Sequence, residues 1–233
     1  MLNEKNYFGA FPKIHAIGSR HTQKIWDSDV EISEKIDGSQ YAWGLVDGKL
    51  RFRSKGQEIF QDAPPKMFQE AIDVSVLKQS LLTEIADGRN FVVYGEFLNK
   101  NKHNILSYGR VPQNNIIVFG IMIDGDLVND YNEIQSYAAA LGFETVPLLY
   151  RGKVNNIEEL MLFLQRESIL GVSKIEGFVV KNYQETIQLG SIYVHAFGKF
   201  VSESFKEKHN KDWKTENTGK GRWETFVSNF CCE

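Results

Sequence analysis

Two apolar runs constrain this chain more than any other feature. Residues 91–98 read FVVYGEFL and residues 115–123 read NIIVFGIMI. Neither alternates polar with apolar, so each predicts a strand with both faces covered. A chain holding two such strands must build a sizeable core. Its 233 residues, 42% hydrophobic and 24% charged, fit one large domain, or one with a small appendage. The first run also contains a carboxylate, Glu96, which is costly to bury unless it is paired or bonded.

Other elements follow from periodicity. Val30 to Ile36 alternates, with Val30, Ile32, Glu34 and Ile36 on one face and Glu31, Ser33, Lys35 and Asp37 on the other. Strands at Gln40–Leu45 and Lys49–Arg53 flank Asp47-Gly48, a hairpin signal. Helical spacing runs from Lys66 to Ile85, from Asp130 to Leu141 with a stop at Gly142, and from Asn156 to Gln165 with Asn156 as N-cap. Strands return at Gly177–Val180 and Ile192–Phe200. Hairpins mixed with helices, without regular alternation, predict an α+β fold and argue against a Rossmann fold.

Composition excludes several classes. The formal net charge is −3, so any nucleic-acid contact must come from a local basic patch. No run of about eighteen apolar residues occurs and the first residues lack a signal-peptide core. Cys231 and Cys232 match neither a zinc spacing nor a redox pair. A cytoplasmic protein without membrane contact is expected, in the cell or in a phage-infected host. From Glu203 onward lysines mix with acids around Trp213 and Trp223. This divides the chain into residues 1–205 and a short basic tail, 206–233. The tail reads equally as a phosphate-contacting, base-stacking segment or as a solvated helix packed on the domain.

Chemistry gathers first at Glu34-Lys35-Ile36-Asp37-Gly38-Ser39. Alone, this is a strand entering a turn with an exposed lysine. It does not stand alone. Downstream lie Arg53-Ser54-Lys55-Gly56, Tyr94-Gly95-Glu96-Phe97, Ile117-Val118-Phe119-Gly120-Ile121, Glu176-Gly177-Phe178-Val179-Val180-Lys181 and Gly198-Lys199-Phe200. In order and approximate spacing the set resembles the lysine nucleotidyltransferases, which include DNA ligases, RNA ligases and mRNA capping enzymes. The resemblance spans roughly residues 11–208.

It implies a ligase-type nucleotidyltransferase fold, with mixed, largely antiparallel sheets and flanking helices around an ATP pocket. Lys35 is then the nucleophile that takes AMP. A lysine with the usual pKa of about 10.4 is protonated at neutral pH and reacts only if its charged form is disfavoured. Lys181 and Lys199 are the candidate neighbours, able also to neutralise charge on the α-phosphate. The resemblance further implies that Glu96 holds a ribose hydroxyl and that Glu176 helps organise metal and sugar. These two are the candidate ligands of a divalent metal, Mg²⁺ or Mn²⁺. Arg53 contacts nucleotide sugar or phosphate, Phe119 stacks on the base and Gln40 lies beside the nucleotide. Main-chain groups near Glu34 and Ile36 read the adenine edge. Without that context Phe119 is plain core and Lys181 a strand end.

One geometric tension arises. Glu176 and Lys181 are an odd number of residues apart and fall on opposite faces of an ideal strand. Both reach one site only if the strand bulges near Gly177, or if Glu176 lies on the turn leading in.

Within the superfamily, Phe11-Pro12-Lys13-Ile14-His15 and the stretch from Glu96 through Leu98, His103, Tyr108, Arg110 and Pro112 are similar to RNA ligases of phages and of editing systems. So are Lys199-Phe200-Val201, Phe205 and Glu207. The expected activity is joining of RNA 3′-hydroxyl and 5′-phosphate ends through lysyl-AMP and an adenylylated 5′ end, as free ends or in a nicked duplex. Gly120 stands where such families usually carry aspartate, and Val201 where many have a second lysine. The length leaves no room for an OB-fold or a full helical domain, so a protein partner supplying substrate grip is compatible. The alternatives are a small DNA nick ligase and a non-catalytic nucleotide- or RNA-binding module.

Overall fold

A computed structural model describes residues 7–155, 157–202 and 205–206. Asn156, both cysteines and the tail beyond Lys206 lie outside the described residues.

In chain order the strands are β1 (His15–Ala16), β2 (Val30–Lys35), β3 (Ser39–Val46), β4 (Lys49–Ser54), β5 (Glu58–Ile59), β6 (Phe91–Phe97), β7 (Ile116–Ile123), β8 (Asp126–Leu127), β9 (Glu144–Thr145), β10 (Leu148–Gly152), β11 (Gly177–Leu189) and β12 (Ile192–Val201). The α-helices are α1 (Gln69–Leu77), α2 (Gln79–Ala86), α3 (Tyr131–Ala140) and α4 (Ile157–Met161). One sheet has the order β1-β12-β11-β2-β10; the other runs β5-β4-β3-β6-β7-β8, with β9 beside β7. Pairings are antiparallel except β1 with β12 and β7 with β9. The α+β expectation and its largely antiparallel sheets hold.

The larger sheet is covered on both faces, as its two apolar strands require. Trp43, Phe91, Val93 and Phe97 pack on one face against Ala71 and Ile72 of α1, Leu82 of α2 and Ile134 and Ala138 of α3. Ala42, Val92 and Tyr94 on the other face meet Phe197 of the smaller sheet. The smaller sheet's far face buries Ile32, Phe178 and Val180 with Ile25 and with Leu160 of α4. The result is a stack of helices, sheet, sheet and a thin outer layer. Polar side chains between the two sheets are therefore enclosed from both sides.

Three expectations need correction. The helix expected over Lys66–Ile85 is a 3₁₀ turn at Lys66–Phe68 followed by two helices meeting at Lys78, whose φ of −92° and ψ of 0° leave the helical region. The break lets Ala71 and Ile72 before it and Leu82 and Ala86 after it reach one core. The helix expected to reach Gln165 is α-helical only to Met161 and then 3₁₀. The strand expected to end at Val180 continues to Leu189, forming a long hairpin with β12. By contrast, the Asp47-Gly48 turn forms where the sequence placed it, and the helix expected from Asp130 to Leu141 runs from Tyr131 to Ala140, with Asp130 as its cap accepting from the amides of Asn132 and Glu133.

Candidate active site

Lys35 ends β2 and faces the larger sheet. It pairs with Gly177, as Ser33 pairs with Val179 and Glu31 with Lys181. Val179 in turn pairs with Lys199. Cross-strand partners share a face, so Lys35, Lys181 and Lys199 lie on one side of the smaller sheet.

The turn after Lys35 is held by its own acid. The Asp37 carboxylate accepts from the amides of Ile105 and Leu106 at 2.8 and 2.7 Å, and the Asp37 amide contacts the Tyr108 hydroxyl at 2.8 Å. The Gly38 carbonyl accepts from the Asn104 side chain at 2.6 Å, and Ser39 Oγ lies 3.0 Å from His103 Nε2. A side chain at Gly38 would put Cβ 2.7 Å from Cγ of Glu96 and 2.8 Å from the Phe97 carbonyl. The Asp-Gly pair thus folds the turn tightly under Glu96.

Glu176 resolves the odd-spacing tension through the turn. It precedes β11, and Gly177 to Lys181 then run in unbroken register. From there its carboxylate takes the Lys35 ammonium at 2.8 Å. Burial raises Glu176 to about 7 against the pull of Lys35. Burial likewise raises Glu96 to about 7; Lys35 opposes this, while Glu176 and Asp37 add to it. Gln40 pairs with Glu96 across β3 and β6, so the two share a face. Lys199 is lowered first by burial, then by the fields of Lys35 and Lys55. Lys35, Glu96, Glu176, Asp37 and Lys199 thus form one electrostatic unit.

Other candidates are committed elsewhere. Lys181 is buried, donates to the Phe119 carbonyl and lies 5.5 Å from the centre of the Phe11 ring. Burial lowers it to about 8. That carbonyl is available because β7 bulges: Tyr94 pairs with Gly120 and Gly95 with Val118, leaving Phe119 unpaired. Phe119 packs edge-on against Phe11, with ring centres 5.0 Å apart. Arg53 donates to the Phe8 carbonyl at 2.7 Å. Ile36 is buried with Leu98, Leu106 and Tyr108. The Glu34 amide donates to the Pro147 carbonyl, and its buried carboxylate accepts from the Ile169 amide at 3.1 Å. Burial raises that carboxyl too.

Gly120 has a local explanation. A Cβ there would stand 2.6 Å from the Phe11 ring, so the N-terminal segment occupies the space an aspartate would need. Asp37, Asn104 and Tyr108, which build the Lys35 turn, were not named as site residues from the sequence. The signal was the Asp-Gly pair itself, although its partners lie over sixty residues away.

Residues 28–216 match the family model described as RNA ligase. Among solved structures, the Naegleria gruberi RNA ligase with PPi is similar at 17% identity and TM-score 0.64, over 88% of this chain and 59% of that one. A mutant of that enzyme with ATP and Mn gives 17% and 0.62, again over 88% and 59%. Another mutant with AMP and Mn gives 16% and 0.63 over the same shares. The chain therefore spans about three fifths of the length of these structures, and the likeness is one of fold. No curated protein sequence matches.

Proposed function

The chain belongs to the RNA ligase family, and from that premise we propose that it uses ATP to join RNA 3′-hydroxyl and 5′-phosphate ends through an AMP adduct on Lys35. The observation that carries this is the Lys35 ammonium held 2.8 Å from a carboxylate raised to about 7. A nucleophilic lysine must shed a proton, and a carboxylate with that pKa is matched to accept it near neutral pH. Lys35 Nζ then bonds to the α-phosphorus of ATP, the bond to the bridging oxygen breaks, and pyrophosphate leaves. Lys199 on the same face supplies positive charge for the phosphate oxygens. Lys181, seated on the Phe119 carbonyl, comes to this role only by leaving that seat. The AMP then passes to an RNA 5′-phosphate, and the 3′-hydroxyl displaces it.

Glu96 and Glu176 fit a divalent cation: two carboxylates kept from ionising easily by burial gain from a nearby positive charge. Among the described residues no group of three or more His, Cys, Asp or Glu is arranged to hold a metal. Mg²⁺ or Mn²⁺ would therefore complete its shell with phosphate oxygens and water, and would supply charge neutralisation at the leaving pyrophosphate. Arg53, Phe119, Gln40 and the Glu34–Ile36 main chain remain candidate nucleotide contacts. No helix among the described residues is long and apolar enough to cross a membrane.

Intact mass after incubation with ATP and a divalent metal, beside Lys35→Ala, tests the first step. An adduct on the parent alone is expected; its absence at every metal and pH sinks the proposal in favour of a binding module. Sealing of matched RNA, DNA and chimeric junctions tests the rest, and equal activity on all-DNA nicks replaces RNA with DNA as substrate.

A further inference from the structure

The Lys35 cluster accounts for where AMP is loaded but not for how a strand is held. At the β1 edge of the smaller sheet lies a second concavity, of about 620 Å³, lined by Lys13, His15, Arg20, His21 and the tip of the β11–β12 hairpin at Gln188. Its side-chain lining carries four basic groups and no acidic one. Lys13 and Arg20 are exposed and have no ion-pair partner among the described residues. Arg20 instead donates to His21 at 3.2 Å, and the rings of His15 and His21 lie 4.3 Å apart. His15 is 7% exposed, and its Nε2 has no hydrogen-bond partner. Buried polar atoms are nearly always satisfied, so an unpartnered ring nitrogen in a basic cavity points to a ligand that brings a hydrogen-bonding group.

The concavity is linked to the Lys35 cluster. Lys13 lies in the field of both His15 and Lys199, and Lys199 in that of Lys35. A basic track thus runs from Lys35 through Lys199 and Lys13 to Arg20, on a chain whose net charge is −3. Across the hairpin tip, Gln188 pairs with Tyr193, so the two share a face; Tyr193 is 69% exposed. Cations that neutralise phosphates, beside an exposed aromatic, are the elements of single-strand binding.

We infer that this edge concavity binds a backbone phosphate of the polynucleotide strand being sealed, and that Tyr193 stacks on a base of the same strand. That the strand is RNA rests on the ligase reading; the phosphate site itself does not. Free nucleotide or pyrophosphate carries the same phosphate chemistry, so the test separates the two sources.

Fluorescence anisotropy of the full chain with a labelled single-stranded RNA, without ATP and across a salt series, is the measurement. The variants are Lys13→Glu with Arg20→Glu, Tyr193→Ala, and Lys49→Glu, an exposed charge reversal on the other sheet. The double variant should lose about tenfold or more in affinity at low salt, and its log–log salt slope should fall by roughly 0.7 per lost phosphate contact. Tyr193→Ala should lose about tenfold with the slope unchanged. Lys49→Glu should bind as the parent does. AMP-adduct formation, measured in parallel, should be unaltered in Tyr193→Ala and Lys49→Glu.

Parent-like RNA binding by the double variant overturns the inference. So does an equal loss in Lys49→Glu, which would mean a diffuse field, or a parent that binds no RNA at any salt. An unchanged RNA affinity with a fall in adduct formation assigns the cavity to the nucleotide's phosphates and also overturns it. If the parent forms no adduct yet binds RNA in a manner the double variant abolishes, the cavity stands and the ligase reading falls.

Discussion

Lys35 and Lys181 stand on one face of one sheet, and their surroundings differ. Lys35 keeps 24% of its side chain exposed and meets a carboxylate. Lys181 is sealed beneath Phe11 and the Phe119 carbonyl, with its pKa lowered to about 8. At the first, a partly exposed amine stands beside a carboxyl that burial raises to about 7. At the second, burial alone works against the charge. The contrast separates a lysine paired with a carboxyl from one perturbed by burial, and only the first keeps part of its side chain exposed.

The largest expected effect tests that difference. Lys35→Ala should abolish the AMP adduct while Lys181→Met still forms one, both read by intact mass; loss of the adduct in both would make the two lysines one unit. Next, Glu176→Gln removes the proposed proton acceptor. Adduct formation by the parent should rise with pH through about 7, as the Glu176 carboxylate ionises. The variant should be slower by about a hundredfold or more and should lose that rise. A variant retaining the parent's pH profile would assign the proton to another group.

The closed end is tested by Gly120→Asp. Its Cβ would collide with Phe11, and the variant should lose about 1–3 kcal/mol by urea unfolding. Adding Phe11→Ala should recover part of the loss that each change causes singly, a coupling a double-mutant cycle reads directly.

The smallest effect is a pair of pH dependences of stability. Glu96 is raised from 4.5 to about 7 in the folded chain, so the native state holds a proton that the unfolded state has already released. Stability therefore falls as pH rises from about 4.5 to 7. Glu96→Gln should gain on the parent across that window. Lys181 is lowered from 10.5 to about 8, so the unfolded state binds more protons between those values. Here stability rises with pH, and the parent should gain on Lys181→Met from about pH 8 to 10.5. Urea midpoints across both ranges would show the two opposite slopes, and slopes of the same sign would break the contrast.

Part of this was legible in the sequence. Strands β2, β3, β4, β6 and β7 and helix α3 are short, strongly patterned and bounded by turn or cap residues, so local pattern and burial agree. The hairpin beyond Val180 was not, because Asn182, Gln184, Glu185 and Thr186 read as a polar exit from a strand. Asn182 and Thr186 pair with Ala196 and His195 of β12, while Gln184 and Glu185 lie in the register shift between them, their amides donating to Asn182 Oδ1. The split helix at Lys78 was hidden for the opposite reason. Its apolar spacing is nearly continuous, and only the sheet beneath it requires a bend. At the site, Lys35, Glu96, Glu176 and Lys199, drawn from separate motifs, lie within one another's electrostatic field. The same motifs did not reveal that Arg53 is tied to Phe8, or that Lys181 is tied to Phe119.

What the sequence determined by itself was the set of groups and their faces. Alternation along β2 turns Lys35 away from Val30 and Ile32, and an Asp-Gly pair must turn the chain immediately after it. Tertiary structure decided the rest, because a charge is set by what surrounds it and those neighbours are distant in the chain. Glu176 reaches Lys35 from a bend outside its strand. Two sheets closing on each other raise both carboxylates. A single unpaired residue in β7 decides that Phe119 offers its carbonyl to Lys181.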